Sequence, residues 1–309
     1  MIRVDKKTAV PLAVAAAVVA AAAIWLHHES SAVTVREIRV NLPYFSAADD
    51  GLSAAVLSDT HFSSGDAARA EEISRIVAEL APDMIFLLGD FVNGTPDPRD
   101  SLSMEELTRF AASLHAKYGV FAVTGNKEMW YGRDKVVDAL RRGGVKILSG
   151  KTCFVALPSG RLLQLAGFPD HTTECGAKPP AVVPQTPTVA LMHDARSAAS
   201  MPEHAFGVAG HTHGGQFRLI PNGGNGTSLR LFVLRLKKKL GMGEPPKDSR
   251  TLFDRGFTSY KNRKVFITSG LGGERVRVRM FCPPEIVLMR LFAADERASK
   301  NRYNIPEEL

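Results

Sequence analysis

Seven residues able to bind a metal or move a proton each stand just after a short apolar run in this 309-residue chain. Asp59-Thr60-His61 follows Leu52 to Leu57, Gly89-Asp90 follows Met84 to Leu88, and Gly125-Asn126 follows Val120 to Val123. His193 follows Thr188 to Met192, and Gly210-His211-Thr212-His213-Gly214-Gly215-Gln216 follows Phe206 to Ala209. Neutral imidazoles are common metal ligands, and two of them at i and i+2 on extended backbone point to one side. Taken singly, each residue has a plainer reading: Asp59 as a helix cap, Asp90 and Asn126 as turn formers, His193 as a packed histidine. As a set they suit two divalent cations. Carboxylate combined with imidazole favours Zn, Mn, Fe or Co over Ca or Mg. A carboxylate between two such ions bridges them, and a water held there loses its proton near neutral pH and attacks phosphorus in line. The expected chemistry is metal-assisted hydrolysis of a phosphate ester or anhydride.

The elements that must position these residues follow from hydrophobic periodicity. Residues 66–80 carry helical apolar spacing (Ile73, Ile76, Val77, Leu80), and further helices are expected near 104–115 and 133–142. Strands are expected near 33–40, 52–57, 84–88, 120–123, 153–157, 162–167, 188–192, 206–209, 264–268 and 285–290. A Pro-rich insertion spans 169–187 and a longer one 217–262. Alternating strands and helices indicate an α/β domain, and open α/β sheets place their sites at the carboxyl ends of strands. That is where the seven residues fall.

The chain is 45% hydrophobic and 23% charged, as an ordinary globular domain is, and its net charge of +7 favours anionic partners. Basic residues without aromatic interleaving argue against single-stranded nucleic acid. Three widely spaced cysteines (Cys153, Cys175, Cys282) make no disulfide framework and no CxxC pair. Residues 1–8 form a basic tail and residues 9–26 carry no charge. Eighteen residues in a helix come close to the thickness of a bilayer core. Three readings compete: an uncleaved anchor, a signal peptide cleaved near Ser30-Ser31-Ala32, or a buried Ala-rich helix. The length favours the anchor, and Arg3, Lys6 and Lys7 would keep the N-terminus in the cytoplasm and the rest outside. The expected organisation is then a transmembrane segment at 9–26, a linker at 27–34, a catalytic domain at 35–292 and a charged tail at 293–309. In the second insertion, residues 229–240 place Leu229, Phe232, Val233, Leu236 and Leu240 on one helical face, with basic residues elsewhere. Such a helix either lies in a membrane interface or packs on the core with a solvated basic face. Arg275, Arg277 and Arg279 alternate along an extended stretch, as anion contacts or as exposed strand positions.

The order Asp-x-His, Gly-Asp, Gly-Asn, His, Gly-His-x-His resembles the calcineurin-like metallophosphoesterases. The GHTHGGQ stretch, with Ser269-Gly270-Leu271-Gly272 and Cys282-Pro283-Pro284-Glu285-Ile286, is similar to their membrane-anchored bacterial subgroup. That subgroup includes a phosphodiesterase branch and a UDP-2,3-diacylglucosamine pyrophosphatase branch of lipid A biosynthesis. The resemblance covers residues 35–292. It implies a four-layer α/β/β/α sandwich with two mixed sheets, preceded here by one N-terminal transmembrane helix. It implies two divalent ions (Mn, Zn or Fe), with Asp59, His61 and His213 on the first, Asn126, His193 and His211 on the second, and Asp90 bridging. Asp90, His193 and Lys127 are the catalytic candidates.

One departure stands out. The family usually has a histidine after Gly-Asn, which contacts the phosphate and can protonate the leaving group, and this chain has Lys127. Lysine is a point charge that can stabilise charge developing on phosphate, and it is a poor acid near neutrality unless its pKa falls. The expected function is a dimetal phosphoesterase of the bacterial inner membrane acting on a nucleotide-linked or phosphorylated lipid. A general phosphodiesterase on soluble substrates and a catalytically silent metal- or phosphate-binding protein are the alternatives. The pyrophosphatase branch implies processing at the cytoplasmic face, whereas the charge rule leans to the outer one.

Overall fold

The computed structural model describes residues 6–294 except 96, 98, 99, 101, 175, 221–227, 243–251 and 274–276, and the side chains of 6–13 are not described. The basic tail before residue 6, Cys175, Arg275 and the charged tail from 295 onward lie outside the described residues.

Two six-stranded mixed sheets make the centre of the fold. The first has β1 (Thr34–Leu42), β2 (Leu52–Leu57), β3 (Met84–Leu87), β4 (Val120–Ala122), β5 (Lys146–Ile147) and β12 (Glu285–Ala293), in the order β1-β12-β2-β3-β4-β5. The second has β6 (Lys151–Ala156), β7 (Leu162–Gly167), β8 (Thr188–Leu191), β9 (Phe206–Ala209), β10 (Gly256–Tyr260) and β11 (Arg263–Ile267), in the order β10-β11-β9-β8-β7-β6. The central strands run parallel: β2 with β3 and β4 in the first sheet, β7 with β8 and β9 in the second. Parallel strands deliver all their carboxyl ends to one edge, which is what groups the site residues.

The period-two alternation of strands sorts each strand's residues onto two faces. Ala54, Val56 and Phe86 meet Leu165, Val189, Leu191 and Val208 between the sheets. Ala55, Leu57, Ile85 and Leu87 face the other way, against Ile73, Val77, Leu107, Phe110, Val136 and Leu140. Those residues come from α2 (Ala67–Leu80), α3 (Met104–Ser113) and α5 (Arg133–Arg142). On the second sheet the outer cluster is Ala190, Met192, Ala195, Ala198, Met201 and Phe253. It is built on a 3-10 turn at Ala195–Ser200 and loops. Among the described residues the expected fourth layer is therefore a 3-10 turn and loop residues such as Phe253, not an α-helical layer.

Other expectations shift in detail. Helix α4 (Asn126–Tyr131) was not expected, nor were the two-residue strand β5 and the strand β10. Helix α1 (Lys6–Ser31) contains residues 9–26 and runs on through the polar His27-His28-Glu29-Ser30-Ser31, which removes most of the expected linker. Among the described residues no helix is long and apolar enough to cross a membrane, so the transmembrane assignment of 9–26 has no support from the fold. Its described apolar residues are mainly alanine, and its last turns are polar. Helix α6 (Leu229–Lys239) forms where expected, but only Leu231 of it is buried, while Leu229, Phe232, Val233 and Leu236 are exposed. The core-packed reading of this helix is overturned: its apolar face points outward.

The layer between the sheets carries the packing. Leu165 is fully buried there. Leu165→Ala is expected to lower stability by about 2–5 kcal/mol, read as an earlier urea midpoint with unchanged metal content.

Candidate functional site

The five strand ends meet where the two sheets share an edge. Asp59 and His61 follow β2, Asp90 follows β3, Asn126 follows β4, His193 follows β8, and His211 and His213 follow β9. All seven are buried. Backbone bonds continue the strand pairing into these loops: the Asp59 N–H donates to Gly89 O and the His61 N–H to Asp90 O, each at 3.0 Å. The His211 N–H donates to Asp59 Oδ2 at 2.9 Å, which ties the second sheet to the first. Asp59, His61, Asp90, His211 and His213 have φ between +43° and +68°. Left-handed backbone is uncommon outside glycine and persists where surrounding structure over-determines it. Gly210 is required by close approach, since any Cβ there would overlap the Ser58 hydroxyl and the Asp59 carboxylate.

The side chains converge in two groups. Asp59, His61 and His213 form one, and Asp90, His193 and His211 the other, with the ligand atoms of each within 4.8 Å of one another. His61 Nε2 and His213 Nε2 are 3.2 Å apart. His193 Nε2 is 3.0 Å from His211 Nδ1 and 3.2 Å from Asn126 Oδ1. Ligand atoms about 2.1 Å from a common ion stand roughly 3.0–3.4 Å apart in tetrahedral or octahedral arrangements. Asp90 Oδ2 lies between the groups, 3.5 Å from His61 Nε2 and 3.4 Å from His193 Nε2. This oxygen is buried and accepts no hydrogen bond among the described residues. A buried carboxylate oxygen without a donor is costly, and a cation on either side of it removes that cost. The residues fit two divalent ions sharing Asp90.

The electrostatics give the same picture. Burial drives the His61 imidazole down to about 3, and His213 beside it adds to the shift. Burial also opposes a charge on His193, but the Asp90 carboxylate outweighs it and holds that imidazole well above its usual range. Asp90 in turn sits below the ordinary carboxylate range, burial being overcome by His193. Asp90 thus demands positive charge beside it, which a proton or a metal cation can supply. The other ring nitrogens are fixed from behind, His193 Nδ1 2.8 Å from Leu88 O and His213 Nδ1 3.3 Å from Gly272 O. Such outer partners set ring orientation.

Lys127 is buried beside this cluster. Its N–H donates to Asp90 Oδ1 at 2.9 Å, and its ammonium lies 4.7 Å from the centre of the exposed Trp130 ring. Asp194 and Arg196 close on each other, with Arg196 Nε 3.0 Å from Asp194 Oδ2. Arg277 pairs with Asp66 and donates to His61 O at 3.2 Å. Arg279 cannot contact an outside anion, because it is 1% exposed.

The sequence reading missed three supporting residues. Glu128 is fully buried and accepts from the N–H groups of Phe91 (2.7 Å), Gly125 (2.7 Å) and Asp90 (3.0 Å). It pins the Asp90 and Asn126 loops together, and burial and the Asp90 charge push it up to about 7. Arg279 donates to Ser269 O at 2.9 Å, Cys282 O at 3.1 Å and Gly272 O at 2.5 Å. Arg69 donates to Leu271 O at 2.7 Å. The loop they hold packs against Asp59 and carries the carbonyl facing His213. Glu128 stands two residues past Asn126, so its place in the motif was visible; nothing local marks Arg69 or Arg279.

Two expectations follow. Glu128→Gln must point an N–H at an N–H, and thermal unfolding should show a loss of about 1–3 kcal/mol. Arg279→Lys keeps the charge but not the reach, and metal titration should show affinity at the first group weakened about 10–100-fold, with the second group less affected.

The calcineurin-like phosphoesterase family profile matches residues 52–215, which hold all seven residues. An uncharacterized metallophosphoesterase of Campylobacter jejuni, Cj0846, is 24% identical over 275 residues, covering 83% of this chain and 63% of its own length. The UDP-2,3-diacylglucosamine pyrophosphatase LpxG of Chlamydia trachomatis is 25% identical over 318 residues, covering 86% of this chain and 92% of its own. Phosphodiesterase YaeI of Escherichia coli is 26% identical over 265 residues, covering 82% and 87%. The chain thus spans just under two thirds of the first relative and most of the other two. With more than half of its length matched by that profile, the chain belongs to the calcineurin-like phosphoesterases and is a metal-dependent hydrolase of phosphate esters.

Proposed function

We propose that this chain hydrolyses a phosphodiester or pyrophosphate bond in a nucleotide-linked or phosphorylated lipid. The observation that carries the hydrolytic part is Asp90 Oδ2, set between two imidazole-bearing groups and without a hydrogen-bond donor among the described residues. Similarity to LpxG over nearly its whole length supports the lipid part. Two divalent ions, when bound, polarise phosphoryl oxygens and lower the pKa of water. Asp59, His61 and His213 would hold one, Asn126, His193 and His211 the other, and Asp90 both.

The protein's own groups set the rest. Lys127 N–H fixes Asp90 through Oδ1 and leaves Oδ2 turned to the imidazoles. The Lys127 ammonium, resting on Trp130, supplies positive charge for the phosphoryl group at the mouth of the site. His193, oriented by Leu88 O, keeps Nε2 toward the cluster. In this reading residues 9–26 anchor the chain in a bacterial inner membrane, which suits a lipid substrate; the nucleotide-lipid reading requires the catalytic domain on the cytoplasmic side, against the lean of the basic N-terminal flank. A soluble phosphodiester is the second reading, favoured by the similarity to YaeI.

The full chain, supplied with Mn, is assayed on UDP-2,3-diacylglucosamine and on bis-p-nitrophenyl phosphate. Preference for the nucleotide lipid, with at least about a hundredfold loss in His211→Ala, is the expected outcome. Preference for the soluble diester selects the second reading. No turnover of either by metal-loaded protein would sink both.

A further inference from the structure

The outward face of α6 is organised. At about 100° per residue, Leu229, Phe232, Val233, Leu236 and Leu240 fall within one stripe. All five are exposed, from 38% at Val233 to 64% at Leu240. Leu231, on the opposite side, is the buried contact that holds the helix to the protein. Arg230 and Lys237 border one edge of the stripe, and Arg235 and Lys239 border the other. The helix contains no acidic residue.

Backbone bonds join the start of the helix to neighbouring segments. The Leu229 N–H donates to Phe217 O at 2.8 Å, and Phe217 pairs with Met280. Phe281 meets Trp25 of α1 with the rings tilted, their centres 5.2 Å apart. Leu219, Ile220, Ile24 and Trp25 are exposed as well. An exposed apolar stripe on a helix held to the protein by its opposite face marks an interaction site. It also adjoins the reaction centre, since Phe217 stands four residues after His213 and its N–H donates to Gly215 O at 2.6 Å.

We propose that this face docks on an anionic bilayer surface, with the α6 stripe among the acyl chains and its four bordering cations at the lipid phosphates. An apolar stripe edged by Lys and Arg on both sides matches the layering of a bilayer interface. Juxtaposed basic residues are drawn to anionic headgroups. A second copy of the chain fits less well, because self-association would bring the two sets of cations together. Docked in this way, the His213 loop faces the headgroup plane, where the phosphate of a lipid substrate would stand. That consequence rests on the lipid reading above; the docking does not.

The test places a reporter on the stripe. Full-length Phe232→Trp is added to phosphatidylglycerol vesicles carrying brominated acyl chains, and its fluorescence is compared with that of the native chain, which contributes Trp25 and Trp130. Added quenching that is absent with phosphatidylcholine vesicles, and that weakens at least about tenfold in lipid concentration when Arg230, Arg235, Lys237 and Lys239 become Ser, is the expected result. No added quenching, or equal quenching with both lipids, overturns the proposal. So does a lipid-free dimer that Phe232→Asp converts to monomer. Phe232→Asp should keep native hydrolysis of bis-p-nitrophenyl phosphate, which shows that it folds. Failure of every form to hydrolyse that ester would count against the function and leave the quenching result standing.

Discussion

Asp90 is buried with one oxygen bonded to a backbone N–H and the other, among the described residues, accepting no hydrogen bond and facing the imidazoles of His61 and His193. That requirement organises the molecule. Imidazoles from both sheets approach this oxygen to within 3.5 Å, so the sheets must meet at the edge where their parallel strands end. The left-handed backbone at five ligand positions is a consequence, because a strand must turn sharply to aim its next side chain inward. Glu128 holds two of those turns through three N–H groups. Without the demand at Asp90, neither the strained loops nor the buried glutamate would serve a purpose.

Much of this was legible in the chain. An apolar run followed at once by Asp, Asn or His is a local signal, and five such signals marked the strand ends and the residues that the fold gathers at one edge. Helix 133–142 was readable because its apolar positions repeat at helical spacing. What escaped depended on distant contacts. Helix α4 is too short to show a period, and β5 and β10 lie at sheet edges where pairing rather than pattern defines the strand. Arg279 looked like one of several alternating surface charges, yet its partners are carbonyls in a loop that only the fold brings near. For α6 the sequence revealed amphipathicity but not its sense: a period shows that two faces differ and cannot say which one is covered.

Charge explains a second layer of design. The chain carries +7 overall, while its centre holds carboxylates that need positive neighbours. Cations are therefore placed in two ways. Some stand inside, as with Arg279, whose guanidinium donates to the carbonyls of Ser269, Gly270, Gly272 and Cys282. Others stand beside the cluster, as with the buried Lys127, whose ammonium lies over the face of the exposed Trp130 ring.

The end of α1 has a meaning that its exposed alanine-rich surface conceals. Ser30 Oγ accepts the Arg279 backbone N–H at 2.8 Å, and Ser31 O accepts from Arg69 Nη1 at 3.2 Å. The same two arginines hold the loop that backs Asp59 and His213. The N-terminal helix is therefore fastened to the framework of the reaction centre and is not a detachable handle. Trimming it for easier handling in solution would withdraw two acceptors from that framework. A shift of the helix relative to the globule would be felt, through the Arg279 backbone and the Arg69 side chain, at the Asp59–His61–His213 group.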